Sequence, residues 1–160
     1  MYFSENGKID CMKIINKKLL REFEVVETFD AGIALTGAEV KSIRSGGLRL
    51  DGAHIAFLED GPHLVGAEVS KYRFTDDENY DPKRSRKILL KAKEILKIKG
   101  RLNSGRGLTV VPVSCYNKNA LLKLEIALAR GRKELKKRKY DKQKTIIRNQ
   151  KREAKEYLRG

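Results

Sequence analysis

The chain has no tryptophan, only two cysteines and two histidines, and three prolines in 160 residues. Cys11 and Cys115 are too few and too far apart for a disulfide framework, a zinc site or a redox pair. They suit a reducing compartment, and Cys115, inside an apolar run, reads as a small core residue. His54 and His63 both fall in strand-like runs, where histidine is more often structural than catalytic. No nucleophile–base motif, zinc spacing, phosphate loop or dinucleotide fingerprint occurs. We therefore read no active site, and expect no enzyme, cofactor or metal. Nowhere do 18 apolar residues run together, and no apolar signal segment opens the chain, so a cytoplasmic protein without a membrane partner is expected.

Acidic residues are also scarce relative to basic ones. Lys and Arg number 36 against 21 Asp and Glu, a net charge of +15 and a pI near 9.9. Ordinary small soluble domains carry a net charge of about 2–8. The excess points to a polyanionic partner, nucleic acid first and an anionic membrane surface second. The length fits one domain with a tail. Residues 1–11 show no periodicity, and Met12 could serve as a second start, so a dispensable extension over 1–12 is expected.

Residues 13–21 form a basic arm that includes Asn16, Lys17, Lys18 and Arg21. Residues 21–28 alternate as a half-buried strand. The stretch from Phe29 to Arg44, punctuated by Gly32 and Gly37, reads as two more strands, about 32–36 and 38–44, bent at glycines as at a barrel corner. Within it Glu39 beside Lys41 suggests a strand ion pair or, less commonly, a general acid. Residues 53–58 and 63–69 read as a hairpin around the turn Glu59-Asp-Gly-Pro62. Residues 70–81 form a polar loop. Its acids Asp76, Asp77, Glu78 and Asp81 match no calcium loop, because no glycine stands at the required bend.

From Pro82 to Lys97 the pattern reads as one amphipathic helix. Ile88, Leu89, Ala92, Ile95 and Leu96 would lie on one face, with Arg84, Arg86, Lys87 and Lys91 opposite. Asn103–Gly107 is a flexible basic turn. Residues 108–116 and 121–129 read as long strands joined at Asn117-Lys-Asn-Ala120, with Pro112 at an edge or a bulge. About seven short strands, one helix and hairpin connections make the chain mainly β, a small antiparallel barrel over 13–130.

Residues 130–160 differ in composition. They hold 14 Lys/Arg against 4 acids, a net +10 of the chain's +15. Beyond Tyr140 only Ile146, Ile147, Tyr157 and Leu158 are large and apolar. Such a segment buries too little to fold alone. A disordered basic tail over 131–160, helical against RNA, is expected. Small barrels of this kind grip irregular or single-stranded RNA through faces and loops, which favours RNA as the partner.

Several blocks, in order, resemble a known family. They are Asn16-Lys-Lys, Phe29-Asp-Ala-Gly-Ile-Ala-Leu-Thr-Gly-Ala-Glu-Val-Lys-Ser-Ile-Arg44, Asp81-Pro-Lys-Arg-Ser-Arg-Lys-Ile-Leu-Leu90, Gly107-Leu-Thr-Val-Val-Pro112 and Ala129-Arg-Gly-Arg-Lys133. Together they resemble the SsrA-binding protein (SmpB) family. The resemblance implies an OB-fold barrel that binds the tRNA-like domain of transfer-messenger RNA (tmRNA). It also implies delivery of that RNA to stalled ribosomes in trans-translation, without catalysis. By matched position the RNA-contacting residues would be Asn16, Lys17, Arg21, Asp30, Gly32, Glu39, Lys41, Ser42, Arg44, Arg84, Arg86, Leu89 and Lys123. The tail, with Gly131, Arg132, Lys133, Lys136, Lys137 and Arg138, would occupy the small-subunit decoding centre and mRNA channel. The family's Asp-Lys-Arg falls on Lys136-Lys-Arg138 without a gap, or on Asp141-Lys-Gln143 with one. A monomer is expected. The other reading is a structural ribosomal protein or another OB-fold RNA-binding protein.

Overall fold

The computed structural model describes residues 12–76 and 78–158. The expected extension over 1–11, Asp77 of the acidic loop and Arg159 of the tail lie outside the described residues. The described elements, in order, are β1 (Lys13–Ile15), α1 (Leu19–Glu22), β2 (Phe23–Ile33), α2 (Gly37–Arg44), β3 (Leu48–Arg49), β4 (His54–Leu58) and β5 (Gly61–Val65). There follow β6 (Glu68–Val69), β7 (Arg86–Leu89), α3 (Ala92–Asn103), β8 (Leu108–Lys118), β9 (Leu121–Gly131) and α4 (Glu134–Tyr157). Seven strands form one antiparallel sheet in the order β1-β8-β9-β2-β7-β5-β4. The sheet curls until β4 lies beside β8, and β3 with β6 makes a separate two-stranded ribbon. The mainly β, antiparallel architecture expected from the sequence is the one observed.

The core fills the curl. Ile43, Leu64, Ile88, Ile98, Leu124, Ile126 and Leu128 are fully enclosed. Leu19 of α1 covers a second patch with Val111, Ala127 and Ala129. Pro112 sits next to the register shift between β8 and β9, at a bulge, where its missing donor costs no ladder bond. Cys115 is buried, and burial pushes its thiol up to about 11.

Three local readings change. Residues 38–44 are helical, and β2 already ends at Ile33. Thr36 Oγ1 accepts the Glu39 N–H at 3.3 Å while Glu39 Oε2 accepts the Thr36 N–H at 2.9 Å. This reciprocal cap starts a helix whatever the strand-like spacing beyond it. Residues 82–97 are not one helix. Arg86–Leu89 forms a strand between β2 and β5, and the helix begins at Ala92, where Glu94 Oε2 accepts the Lys91 N–H. In that strand Arg86 and Ile88 point inward and Lys87 and Leu89 outward. In α3 the inner face is Ile98 with Ile95 and Leu102, while Leu96, expected inside, is 71% exposed. Pro62 lies within β5 rather than in the turn, and the strand expected to reach Val69 breaks at Gly66, whose φ is +76°.

The tail also differs from expectation. Where a disordered segment was expected, α4 runs for 24 residues, and none of its residues is buried. Its helical pattern therefore rests on backbone bonds and a few surface ion pairs, not on a core.

Candidate nucleic-acid interface

Glu39 is the third residue of α2, at the positive end of the helix dipole. Its side chain is fully buried, as is that of Arg86. Oε1 accepts Arg84 Nε and Arg86 Nε, both at 2.8 Å, and Oε2 accepts Arg84 Nη2 at 2.5 Å. Burial by itself raises a carboxyl pKa. Here the Arg84 and Thr36 hydrogen bonds and the Arg86 charge outweigh it and hold Glu39 near 2, below its ordinary 4.5. Arg86 spends its other donors on the carbonyls of Ala67, Arg84 and Pro82. The general-acid reading of Glu39 does not fit a carboxylate held ionised by two arginines. The pair is a clamp joining α2 to the segment that enters β7, and it leaves Arg84 part-exposed while Lys41, further along α2, is exposed. Ser42, one turn on, is buried and donates to Ser70 O at 2.5 Å. Only glycine fits at position 47, since a Cβ there would overlap Ser42 Oγ.

A second set of residues meets on the outer face of the sheet. Gly32 pairs with Leu89 on one side and Lys123 on the other, and Lys123 pairs with Tyr116. A Cβ at Gly32 would stand 3.1 Å from Leu89 Cβ, so glycine lets Leu89 lie across β2 while remaining 57% exposed. Asp30 is exposed and accepts the Tyr116 hydroxyl at 2.9 Å. Burial, and then that bond, push the Tyr116 phenol up to about 12. An open groove of about 630 Å³ runs along Asp30, Tyr116, Lys118, Asn119 and Lys123 to Lys91 and Glu94 of α3. The β8–β9 turn rims it with Asn119, which like its neighbour Ala120 has a positive φ (50° and 64°). Arg44 Nη2 donates to Ala120 O at 2.6 Å and so ties α2 to the turn. Tyr116, Lys91, Lys118 and Asn119 were not among the residues expected here. The alternation of β8 places Tyr116 on the face of Lys123 only once the hairpin register is known.

The arm forms a third part. Asn16 is buried, and its amide donates to Pro112 O at 3.0 Å and Leu50 O at 3.3 Å, stitching the arm to the barrel. Lys17 and Arg21 are exposed. Arg21 Nε lies 3.0 Å from both Asp141 oxygens of α4. At the root of the tail Gly131 ends β9, and the Arg132 N–H donates to Glu22 O at 2.7 Å. Lys133 stands at the N-cap position of α4 without a side-chain cap bond, Lys136 lies 3.8 Å from Glu24 and Arg138 pairs with Glu134, while Lys137 is part-exposed.

Among the expected contact residues, then, Lys17, Arg21, Asp30, Gly32, Lys41, Arg44, Arg84, Leu89 and Lys123 reach the surface wholly or in part. Asn16, Glu39, Ser42 and Arg86 are inside and hold the others in place. Among the described residues no three His, Cys, Asp or Glu side chains group as metal ligands, and no helix is long and apolar enough to cross a membrane.

The family model described as SmpB protein matches residues 13–156, which takes in the barrel, the clamp and nearly all of α4. The chain belongs to the SmpB family. It is 41% identical to the SsrA-binding protein of Rubrobacter xylanophilus over 144 residues, covering 90% of this chain and 95% of that protein. The SsrA-binding protein of Deinococcus radiodurans is 39% identical over 133 residues, with 83% and 92% covered. A solved chain described as "tmRNA-SmpB: a journey to the center of the bacterial ribosome" superposes with a TM-score of 0.63 at 34% identity. That match covers 76% of this chain and 85% of the solved one. The SmpB-family match extends past the barrel, so the tail belongs to the shared pattern and is not an appendage of this chain alone.

Proposed function

We propose that this protein binds tmRNA and carries it to stalled ribosomes for trans-translation. The observation that carries the reading is the surface strip Asp30, Gly32, Leu89 and Lys123, with Arg44 tied to the β8–β9 turn beside it, on a chain of the SmpB family. Cations take phosphates there, and Asp30 suits an exocyclic amine or a 2′-hydroxyl. The barrel holds the tRNA-like domain. The tail, free of core contacts, reaches the decoding centre and mRNA channel. The protein acts in the cytoplasm as a monomeric RNA-binding factor and not as an enzyme.

The test is to purify the protein under native conditions and identify the RNA that comes with it. One chimeric tRNA–mRNA species supports the reading. Stoichiometric presence of the protein in resting ribosomes, without that RNA, would point to a structural ribosomal protein.

A further inference from the structure

The loop between β6 and β7 carries an aromatic cluster, Tyr72 to Phe74, that the residues above leave out. Phe74 is 72% exposed. Tyr72 meets it edge-on with ring centroids 5.5 Å apart. The Arg73 guanidinium lies 4.8 Å from the Phe74 centroid, and Lys41 Nζ lies 5.7 Å from that of Tyr72. An aromatic so exposed gains little for folding, yet this one sits on an anchored loop. Ser70 O accepts Ser42 Oγ, the Ser70 N–H donates to Gly47 O, and the Val69 N–H donates to Pro82 O at 2.9 Å. Tyr80 closes the far end with a hydroxyl bond to Val69 O, also at 2.9 Å. Both ends of the loop are thereby held to α2 and the ribbon, beside the Glu39 clamp.

We propose that Phe74, backed by Tyr72 and Arg73, is a stacking platform for an unpaired nucleobase of the bound RNA. The proposal rests on the RNA-binding reading and adds a contact to it. Every nucleobase offers a π-face, and aromatic rings with adjacent guanidinium groups take unpaired bases but cannot reach those inside a duplex. Lys41, Lys71 and Arg73 supply charge for the phosphates on either side of the base. Asp76 and Glu78, further along the loop, disfavour a phosphate there. The occupant is therefore a base splayed from a loop or bulge.

The chain has no tryptophan, so Phe74→Trp places a single indole reporter on the platform. Titration with the tRNA-like domain of tmRNA is expected to quench its fluorescence. Phe74→Ala is expected to weaken binding about tenfold, in line with a lost base stack, without changing the salt dependence. Arg73→Ala should instead lower the salt slope by about one phosphate contact. Unchanged fluorescence in a variant that still binds the RNA overturns the platform and leaves RNA binding standing. An equal quench by a plain RNA duplex overturns the unpaired base. If the unsubstituted protein itself fails to bind, the functional reading falls, and this inference falls with it.

Discussion

The Glu39 clamp and the α4 tail use the same chemistry, arginine against carboxylate, under opposite conditions. In the clamp Glu39 and Arg86 are enclosed, Arg84 is part-exposed, and every Glu39 oxygen has a donor. In the tail Arg21 meets Asp141 at 3.0 Å with both side chains more than 40% exposed. A buried pair is costly to disrupt, because removing one partner strands the other charge away from water. An exposed pair competes with water and salt at every moment. The first therefore fixes the shape of the barrel face, and the second ties α4 to the arm only weakly.

The largest expected effect comes from cutting the two regions apart. Truncation after Lys133 should abolish peptide tagging on stalled ribosomes while tmRNA affinity, read by mobility shift, stays close to that of the full chain. Equal loss of both would break the division between barrel and tail.

Next is Glu39→Gln, expected to destabilise the barrel by about 3 kcal/mol in chemical denaturation, since Arg84 and Arg86 then face a neutral amide. The pH dependence has a definite sign. The carboxyl titrates near 2 when folded against 4.5 ordinarily, so its contribution is complete above 4.5 and is lost as pH falls toward 2. The Gln variant should lose less stability over that window than the parent protein.

Gly32→Ala tests the strip between the two regions. Its new Cβ must push Leu89 by a few tenths of an ångström, at about 1 kcal/mol, and the cost should shrink in a Leu89→Gly background, which removes the Cβ it meets at 3.1 Å. Ala120→Gly should stabilise by about 0.5–1 kcal/mol, because glycine accepts the positive φ that alanine holds there under strain. Least affected is Asp141→Ala, which should leave the denaturation midpoint unchanged. A large shift there would mean that α4 is bound to the barrel more firmly than a surface pair allows.

Much of the barrel was legible because its signals are local. The two runs 108–116 and 121–129 read correctly as a hairpin, since a hairpin is set by alternation over a few neighbours, but the connection expected over Asn117–Ala120 narrows to Asn119-Ala120 because Asn117 and Lys118 still pair in β8. The 38–44 helix was missed even though Thr36-Gly-Ala-Glu39 is a capping-box sequence, because the glycine spacing suggested strands. The 86–89 strand was missed for a different reason. Arg86-Lys-Ile-Leu89 fits a helical face as well as a strand, and only its pairing with Gly32, Ile33, His63 and Leu64 decides between them.

The candidate site divides in the same way. The charge of the tail, the cysteine that serves as core and the mainly β character follow from composition and spacing, which the order of residues determines directly. Which charges are buried does not follow. Glu39 and Arg86 are as polar on paper as Lys41 and Arg44, yet the first two are enclosed and the second two face outward. Residues 45 and more positions apart had to meet before Glu39 could find Arg84 and Arg86. Burial and hydrogen-bond satisfaction belong to that meeting of distant segments, and so the tertiary structure alone decided which charges hold the face and which ones it presents.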